Sequence, residues 1–270
     1  MLTDQLHQKI SENAGLVDAE GAFPEQEFAW IAEAGLLAET IAGPENYPVK
    51  TASVLQLLKK MGSANLAVGR VYEGHVNALQ LIDLYGNELQ KKHWFEEVKT
   101  GKKLFSVWNT QANDGIKIHD LGDGFYRLEG SKTFCSGSGW IDRPLITGEL
   151  ISPDKKGWQM CIIPTENVKP VAIDSSFWKP FGMRASASFK MDFTGIELQE
   201  KDLLGKPDQY YGQPYFSGGA IRFAAVQLGG AEAIFSETQK FLRMLGRTDD
   251  AFQRARIAEM AYLIESGNLW

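Results

Sequence analysis

Along the first hundred residues the apolar positions recur three and four apart. In PEQEFAWIAEAGLLA, Phe28, Ile31, Ala32, Gly35 and Leu36 fall on one helical face. Pro24 suits the first turn of that helix. A second face reads Val54, Leu57, Leu58 and Met61, with Thr51 as its cap. A longer face follows, Val68, Val71, Tyr72, His75, Val76 and Leu79, and stops near Gly86. Asn87 caps NELQKKHWFEEVKTG, whose Leu89 and Trp94 should point inward and whose stop is Gly101.

After Gly101 the period falls to two. KLFSVWNTQ, GFYRLEGSKTF, PLITGEL, GWQMCIIP and ASFKMDFTGIEL read as strands, and Asp123-Gly124 is a hairpin signal. In FKMDF, Phe189, Met191 and Phe193 share one face and Lys190 and Asp192 the other. The helical period returns near 214. Ile221, Ala225, Leu228, Ile234, Phe235, Phe241 and Leu245 lie along one long helix. Asp249 or Asp250 caps another, with Ile257, Met260, Ala261 and Ile264 inward. The expected class is α+β: an N-terminal helical domain (1–101), a middle antiparallel β-sheet or barrel domain (102–206) and the start of a C-terminal helical bundle (207–270). The last helix is still running at Trp270, so the expectation is a C-terminal domain that is incomplete.

Composition narrows the function classes. The 270 residues carry a net charge of −6, and no cluster of Lys and Arg offers a grip on nucleic acid or an anionic membrane. No apolar run approaches the roughly 20 residues that span a bilayer, and the N-terminus is too polar for a signal peptide. A cytoplasmic protein is expected. The two cysteines, Cys135 and Cys161, sit in apolar strand-like runs and should be free and buried. Neither disulfide nor metal spacing is present.

One stretch does not fit a plain strand. GSKTFCSGSG (130–139) offers an aromatic, a hydroxyl and a nearly naked backbone side by side. Read alone, it is a strand end with Phe134 in the core and a Ser-Gly turn. Read with four other strings, it points further. EAGLLAETIAGPENY, GNELQKKHWFEEVKTGKKLFSVWNTQ, LEGSKTFCSG, FGMRASASFKMDFTGIELQEKDLLG and AAVQLGGAEA occur in the order in which the acyl-CoA dehydrogenase family carries similar strings. The chain resembles that family over essentially its whole length.

The resemblance implies FAD. It puts Phe134 against the isoalloxazine ring, the Ser136 hydroxyl near flavin N5, and the backbone of Gly137 close to the cofactor. The second flavin strand is Trp108-Asn109-Thr110-Gln111, with Thr110 at the pyrimidine edge, and Gly115 is kept in the loop that follows. A hydroxyl near N5 tunes the ring's electronics, and an apolar aromatic stacks on it. The sequence departs from the family at Ile116, where a serine is common, and this unsettles the usual pyrophosphate and CoA contacts.

The family reaction is α,β-dehydrogenation of an acyl-CoA. A glutamate removes the α-proton, and flavin N5 takes a hydride that passes on to an electron-transfer flavoprotein or another acceptor. The usual glutamate lies late in the C-terminal domain. An alternative one precedes an arginine on the first C-terminal helix, and here that pair is Ile221-Arg222. No catalytic base is therefore identified. Arg222 is the expected contact to pantetheine or a substrate phosphate, with an intersubunit ion pair as the other reading. His75 matches a helix bordering the flavin pocket and is either a packed residue or a proton donor. Arg184 and Ser186 are assigned to stabilising their turn. Three functions remain open: an acyl-CoA dehydrogenase, a flavin-dependent monooxygenase on the same fold, and a non-catalytic acyl-binding or oligomerising module. A homodimer or homotetramer is expected by resemblance.

Overall fold

The computed structural model describes residues 2–41, 51–165, 171–174 and 178–269. The GPENY part of the first family-like string lies outside them. Helices α1 (Asp4–Val17), α2 (Glu25–Glu33), α3 (Thr51–Ala64), α4 (Leu66–Tyr85) and α5 (Glu88–Lys99) come first. Helix α2 starts one residue after Pro24 and ends before Gly35, whose left-handed φ of 73° ends the helical turn rather than continuing it. Thr51 is the first helical residue of α3, not its cap. Asn65 caps α4, accepting from the Ala67 and Val68 amides.

Asn87 caps α5 in a reciprocal box with Gln90. The Gln90 amide reaches on to the carbonyls of Lys201 and Leu203 and ties the helix to the sheet. Trp94 and Val98 are buried as the pattern predicts, but Leu89 is exposed. It sits in the first turn, before the helix meets its neighbours.

Ten strands follow among the described residues: β1 (Phe105–Trp108), β2 (Lys117–Gly122), β3 (Phe125–Glu129), β4 (Ser131–Cys135), β5 (Arg143–Ile151), β6 (Trp158–Ile162), β7 (Val171–Asp174), β8 (Phe189–Asp192), β9 (Glu197–Gln199) and β10 (Leu203–Leu204). The larger sheet runs β10-β6-β5-β2-β3-β9, with β1 also on β5; β4, β8 and β7 form a second sheet. Most pairings are antiparallel, but β1 and β2 both pair parallel with β5. The Asp123-Gly124 turn closes the β2–β3 hairpin with both residues at positive φ, as a primed turn requires. Gly130, at φ 108°, breaks GFYRLEGSKTF into β3 and β4 and sends the two halves to different sheets. Met191 and Phe193 are buried together.

The long helix α6 (Tyr215–Met244) lies across α3 and α4, and α7 (Ala251–Leu269) turns back on it. The α3–α6 crossing is close because it is built from glycine. A methyl group on Gly229 would overlap the Lys59 carbonyl oxygen, and one on Gly62 the Val226 carbonyl. Asp250 is the residue that caps α7, accepting from the Phe252 and Gln253 amides. The face predicted for α7 is only half-buried: among the described residues the helix buries no side chain fully. No helix among them is long and apolar enough to cross a membrane.

Candidate functional site

Strands β1 and β4 meet beside the core, and the meeting is made by specific bonds. The Thr133 amide donates to the Thr110 carbonyl at 2.8 Å. The Lys132 ammonium donates to the Asn109 carbonyl at 3.0 Å and to Gln111 Oε1 at 2.6 Å. The Thr147 hydroxyl donates to Asn109 Oδ1. One turn on, Ser131 holds Asp114 through both backbone and side chain, and Lys190 pairs with the same carboxylate at 2.6 Å. The segment after β1 would otherwise be a free loop; five residues, Thr133, Lys132, Thr147, Ser131 and Lys190, fix it.

The two hydroxyl-bearing strand ends are therefore neighbours. Thr110 is exposed. Phe134 is 48 % exposed, although it lies in a strand whose flanking residues are buried. Two features turn it out. The β4–β8 register slips between Lys132 and Cys135, and Phe134 itself takes a left-handed φ of 54°. A bulge re-aims a side chain, and a bulky residue at positive φ carries strain of the kind concentrated at functional sites. The core reading of Phe134 is thereby excluded. Its ring meets Trp178 edge-on at 6.1 Å. The Trp178 indole nitrogen is buried with no partner among the described residues, leaving a donor beside the exposed ring.

Trp108 and Ser136 form the inner side. Trp108 is 2 % exposed, and its indole N–H donates to the Ser136 carbonyl at 3.0 Å. It supports the strand end from within the core and presents no open face. Gly137, at φ 79°, follows, and its amide donates to the Ser186 carbonyl at 2.8 Å. The GMRASAS loop thus packs directly under the GSKTFCSG turn. Arg184 pairs with Asp18 at 2.9 Å, which gives it the turn-holding role expected. Gly115 bridges to Ser131 and packs against the Gln111 side chain, while Ile116 is buried against Gly148.

Two candidates lie in the helical layer. His75 is fully buried. Its Nδ1 accepts from the Phe105 amide at 3.0 Å, so Nε2 carries the proton and donates to the Leu37 carbonyl at 2.8 Å. Burial pushes its pKa down to about 4. With both nitrogens engaged and no charge at neutral pH, His75 ties β1 to α4 and is not free to donate a proton to a substrate. The packed reading replaces the proton-donor one. Arg222 is also buried, bonded to Asn77, with Gly218 and Gly219 against its guanidinium and Nε unpartnered among the described residues. Glu73, whose pKa burial raises, lies near it and pairs with Arg70 at 2.6 Å.

Sequence reasoning missed Lys132. It is fully buried, and burial pushes its pKa down to about 8. The available signal was a lysine inside an apolar strand facing two polar strand ends. Ser188 and Trp178 were also missed. Both cysteines are free and buried, and burial pushes their thiols up, away from reactivity.

The two strand ends thus present a half-exposed aromatic ring, Phe134, and an exposed hydroxyl, Thr110, side by side.

Residues 1–102 match the family model of the acyl-CoA dehydrogenase N-terminal domain. The dibenzothiophene monooxygenase of Rhodococcus erythropolis is 24% identical over 235 residues, covering 79% of this chain and 54% of the relative. The chain thus spans about half the length of the curated relatives it matches. The FMN-bound TdsC of Paenibacillus sp. A11-2 superposes with a TM-score of 0.83 at 21% identity, over 97% of this chain and 72% of that one. Butyryl-CoA dehydrogenase from Megasphaera elsdenii superposes with a TM-score of 0.81 at 18% identity, over 98% and 77%.

Proposed function

From the premise that this chain belongs with the acyl-CoA dehydrogenases in fold and in its N-terminal domain, we propose that it holds a flavin in the slot between β1 and β4 and serves a flavin-dependent monooxygenase. The observation that carries the reading is the contrast between the two ends of the site. The ring end presents an exposed Thr110 and a half-exposed Phe134, with Ser136 buried behind them. At the position where the resemblance commonly has a serine facing phosphate or substrate, Ile116 is buried at 1 % exposure against Gly148. A ring with one phosphate, FMN, fits that pair of facts better than FAD. The monooxygenase relative and the FMN-bound structure support the choice.

A flavin bound there supplies two-electron redox chemistry. The chain's own residues hold and shield it. In this reading Phe134 would cover one face of the ring and Thr110 would offer a hydroxyl to its polar edge, and the resemblance puts the buried Ser136 near N5. Lys132 keeps the Asn109–Gln111 edge in place through the Asn109 carbonyl and the Gln111 amide oxygen. The reaction needs reduced flavin and dioxygen, so a reductase is the implied partner. His75 takes no part.

A second reading, acyl-CoA dehydrogenase, is favoured by the butyryl-CoA dehydrogenase superposition. In that reading FAD is the cofactor, Arg222 touches the acyl-CoA, and an electron-transfer flavoprotein accepts the electrons. It lacks a base at Ile221, an apolar residue 55% exposed on α6.

Flavin titration of the purified full-length protein separates the readings. FMN binding at least tenfold tighter than FAD, with substrate oxygenation under reduced FMN and air, is expected. Preference for FAD, with anaerobic bleaching by an acyl-CoA, establishes the dehydrogenase instead. No flavin bound at all removes both.

A further inference from the structure

Lys132 is a buried cation without a counter-ion. Its side chain is fully enclosed. Its ammonium donates to the Asn109 carbonyl at 3.0 Å and to Gln111 Oε1 at 2.6 Å, with the Thr147 hydroxyl at 3.5 Å. These acceptors take up its N–H groups, but all of them are neutral. Among the described residues no carboxylate pairs with it. The titratable side chains that act on it are Cys135 of its own strand and Cys161 of β6, and burial holds both thiols protonated. The Trp158 ring, 5.7 Å from the ammonium, adds only a cation–π attraction. A buried charge in such company is costly, and burial accordingly draws the lysine's pKa down to about 8. An anion brought near would relieve that cost.

The exposed edge of the site is one peptide away. Asn109 and Gln111, the two closest partners of the ammonium, flank Thr110, which is exposed. The Asn109 carbonyl and the Thr110 amide are the two ends of a single peptide unit. No described residue accepts from that amide. A cation drawing on the carbonyl oxygen polarises the unit and makes the N–H at its other end a stronger donor. Lys132 thereby projects positive charge to the edge without reaching the surface itself.

We propose that Lys132 is a positioning residue that acts through the Asn109–Thr110 peptide to make the Thr110 edge an anion site, and that the anion it favours is reduced flavin. This rests on the flavin reading above. Charge beside N1 tunes a flavin ring. The reduced ring carries negative charge along its N1 and C2 carbonyl edge, the pyrimidine edge at which the resemblance puts Thr110, whereas the oxidised ring is neutral. The lysine therefore contributes more to holding the reduced form, which is the form the monooxygenase reading requires the protein to take up. No bond is made or broken and no proton moves; Lys132 acts by its charge alone.

The test is the ratio of dissociation constants for oxidised and reduced FMN on the full-length protein. Fluorescence titration gives the oxidised constant, and dye-coupled reduction gives the midpoint potential that fixes the ratio. Wild type is compared with Lys132→Gln, which keeps an N–H donor for the Asn109 carbonyl and removes the charge. Reduced FMN is expected to bind about tenfold more weakly relative to oxidised FMN, a fall of about 30 mV for a two-electron couple. An unchanged potential overturns the proposal; if both affinities fall together, Lys132 only fastens β4 to β1. Should Lys132→Gln fail to fold, Thr147→Asp decides, because it sets a carboxylate beside the ammonium and neutralises it in place. The same fall in potential is expected there, and an unchanged one overturns the proposal. Absence of FMN or FAD binding in the wild type is a different result: it removes the flavin reading itself, and this proposal with it.

Discussion

His75 shows how a residue's surroundings decide its chemistry. The helical pattern put it on an inward face, and its type invited a proton-transfer role. In the fold it accepts from the Phe105 amide and donates to the Leu37 carbonyl, and burial holds it neutral. Its folded pKa of about 4 lies below the usual value near 6.5, so the unfolded chain binds the extra proton first between those limits. The stabilisation is complete above about pH 6.5 and is lost as pH falls toward 4. In urea unfolding between pH 7 and 5, this residue should contribute a loss of up to about 1.4 kcal/mol per pH unit. The His75→Gln variant should lack that part of the slope. An identical slope in the two proteins would place the histidine's pKa near its normal value. Phe134 is the converse case: its exposure comes from a bulge and a left-handed φ that no pattern announced.

Among the elements, α6 and β4 carry most of the specification. AAVQLGGAEA reads in sequence as a small-residue segment, and the structure gives the reason. Helices α3 and α6 cross so closely that Gly229 faces the Lys59 carbonyl and Gly62 the Val226 carbonyl. Neither neighbour is a flexible side-chain tip that can swing aside. A Gly229→Ala substitution should therefore cost about 1–3 kcal/mol by overpacking, against a gain of about 1 kcal/mol from helix propensity at an open site. Chemical denaturation gives the sign directly, and a stabilised variant would mean that the helices separate without loss. Strand β4 was legible as a strand but not as a boundary. Gly130 hands the chain from one sheet to the other, and the buried Lys132 stitches β4 to the end of β1. A single lysine in an apolar run is normally read as solvated, and only the facing carbonyl and amide oxygen explain its burial.

At the scale of the whole molecule, the strands sit between helices that precede and follow them in sequence, and the ends of β1 and β4 converge through the Thr133–Thr110 and Lys132–Asn109 bonds. Helix α6 is anchored to α4 by the buried Arg222–Asn77 contact, and the flank beside its buried face carries half-exposed apolar residues, of which Phe223 lies under the Arg70 guanidinium of α4. Phe223, Ile234 and Phe241 recur at helical spacing and are 42–59% exposed. That stripe is an uncovered apolar patch of the kind that marks a packing surface, and a second copy of the chain is the occupant the resemblance suggests. Light scattering of the full-length protein should show a dimer or tetramer. Ile234→Glu together with Phe241→Glu should move the mass toward the monomer; an unchanged mass would put the contact elsewhere.

The sequence by itself determined the succession of helical, strand and helical blocks, though not the separate elements α1, β2, β7 and β10, together with the turn at Asp123-Gly124, the cap at Asn87, and the strings whose order carries the family resemblance. These are local matters of period, φ preference and side-chain reach, and each is settled within a few residues. Which residues face the slot was not local. The outward turn of Phe134, the inward one of Trp108, the withdrawal of His75, and the contact of the Ser136 hydroxyl with that of Ser188 depend on contacts between segments about 30 to 50 residues apart. Only the tertiary structure decides them, because a hydrogen bond or a bulge across strands exists only once both strands are in place.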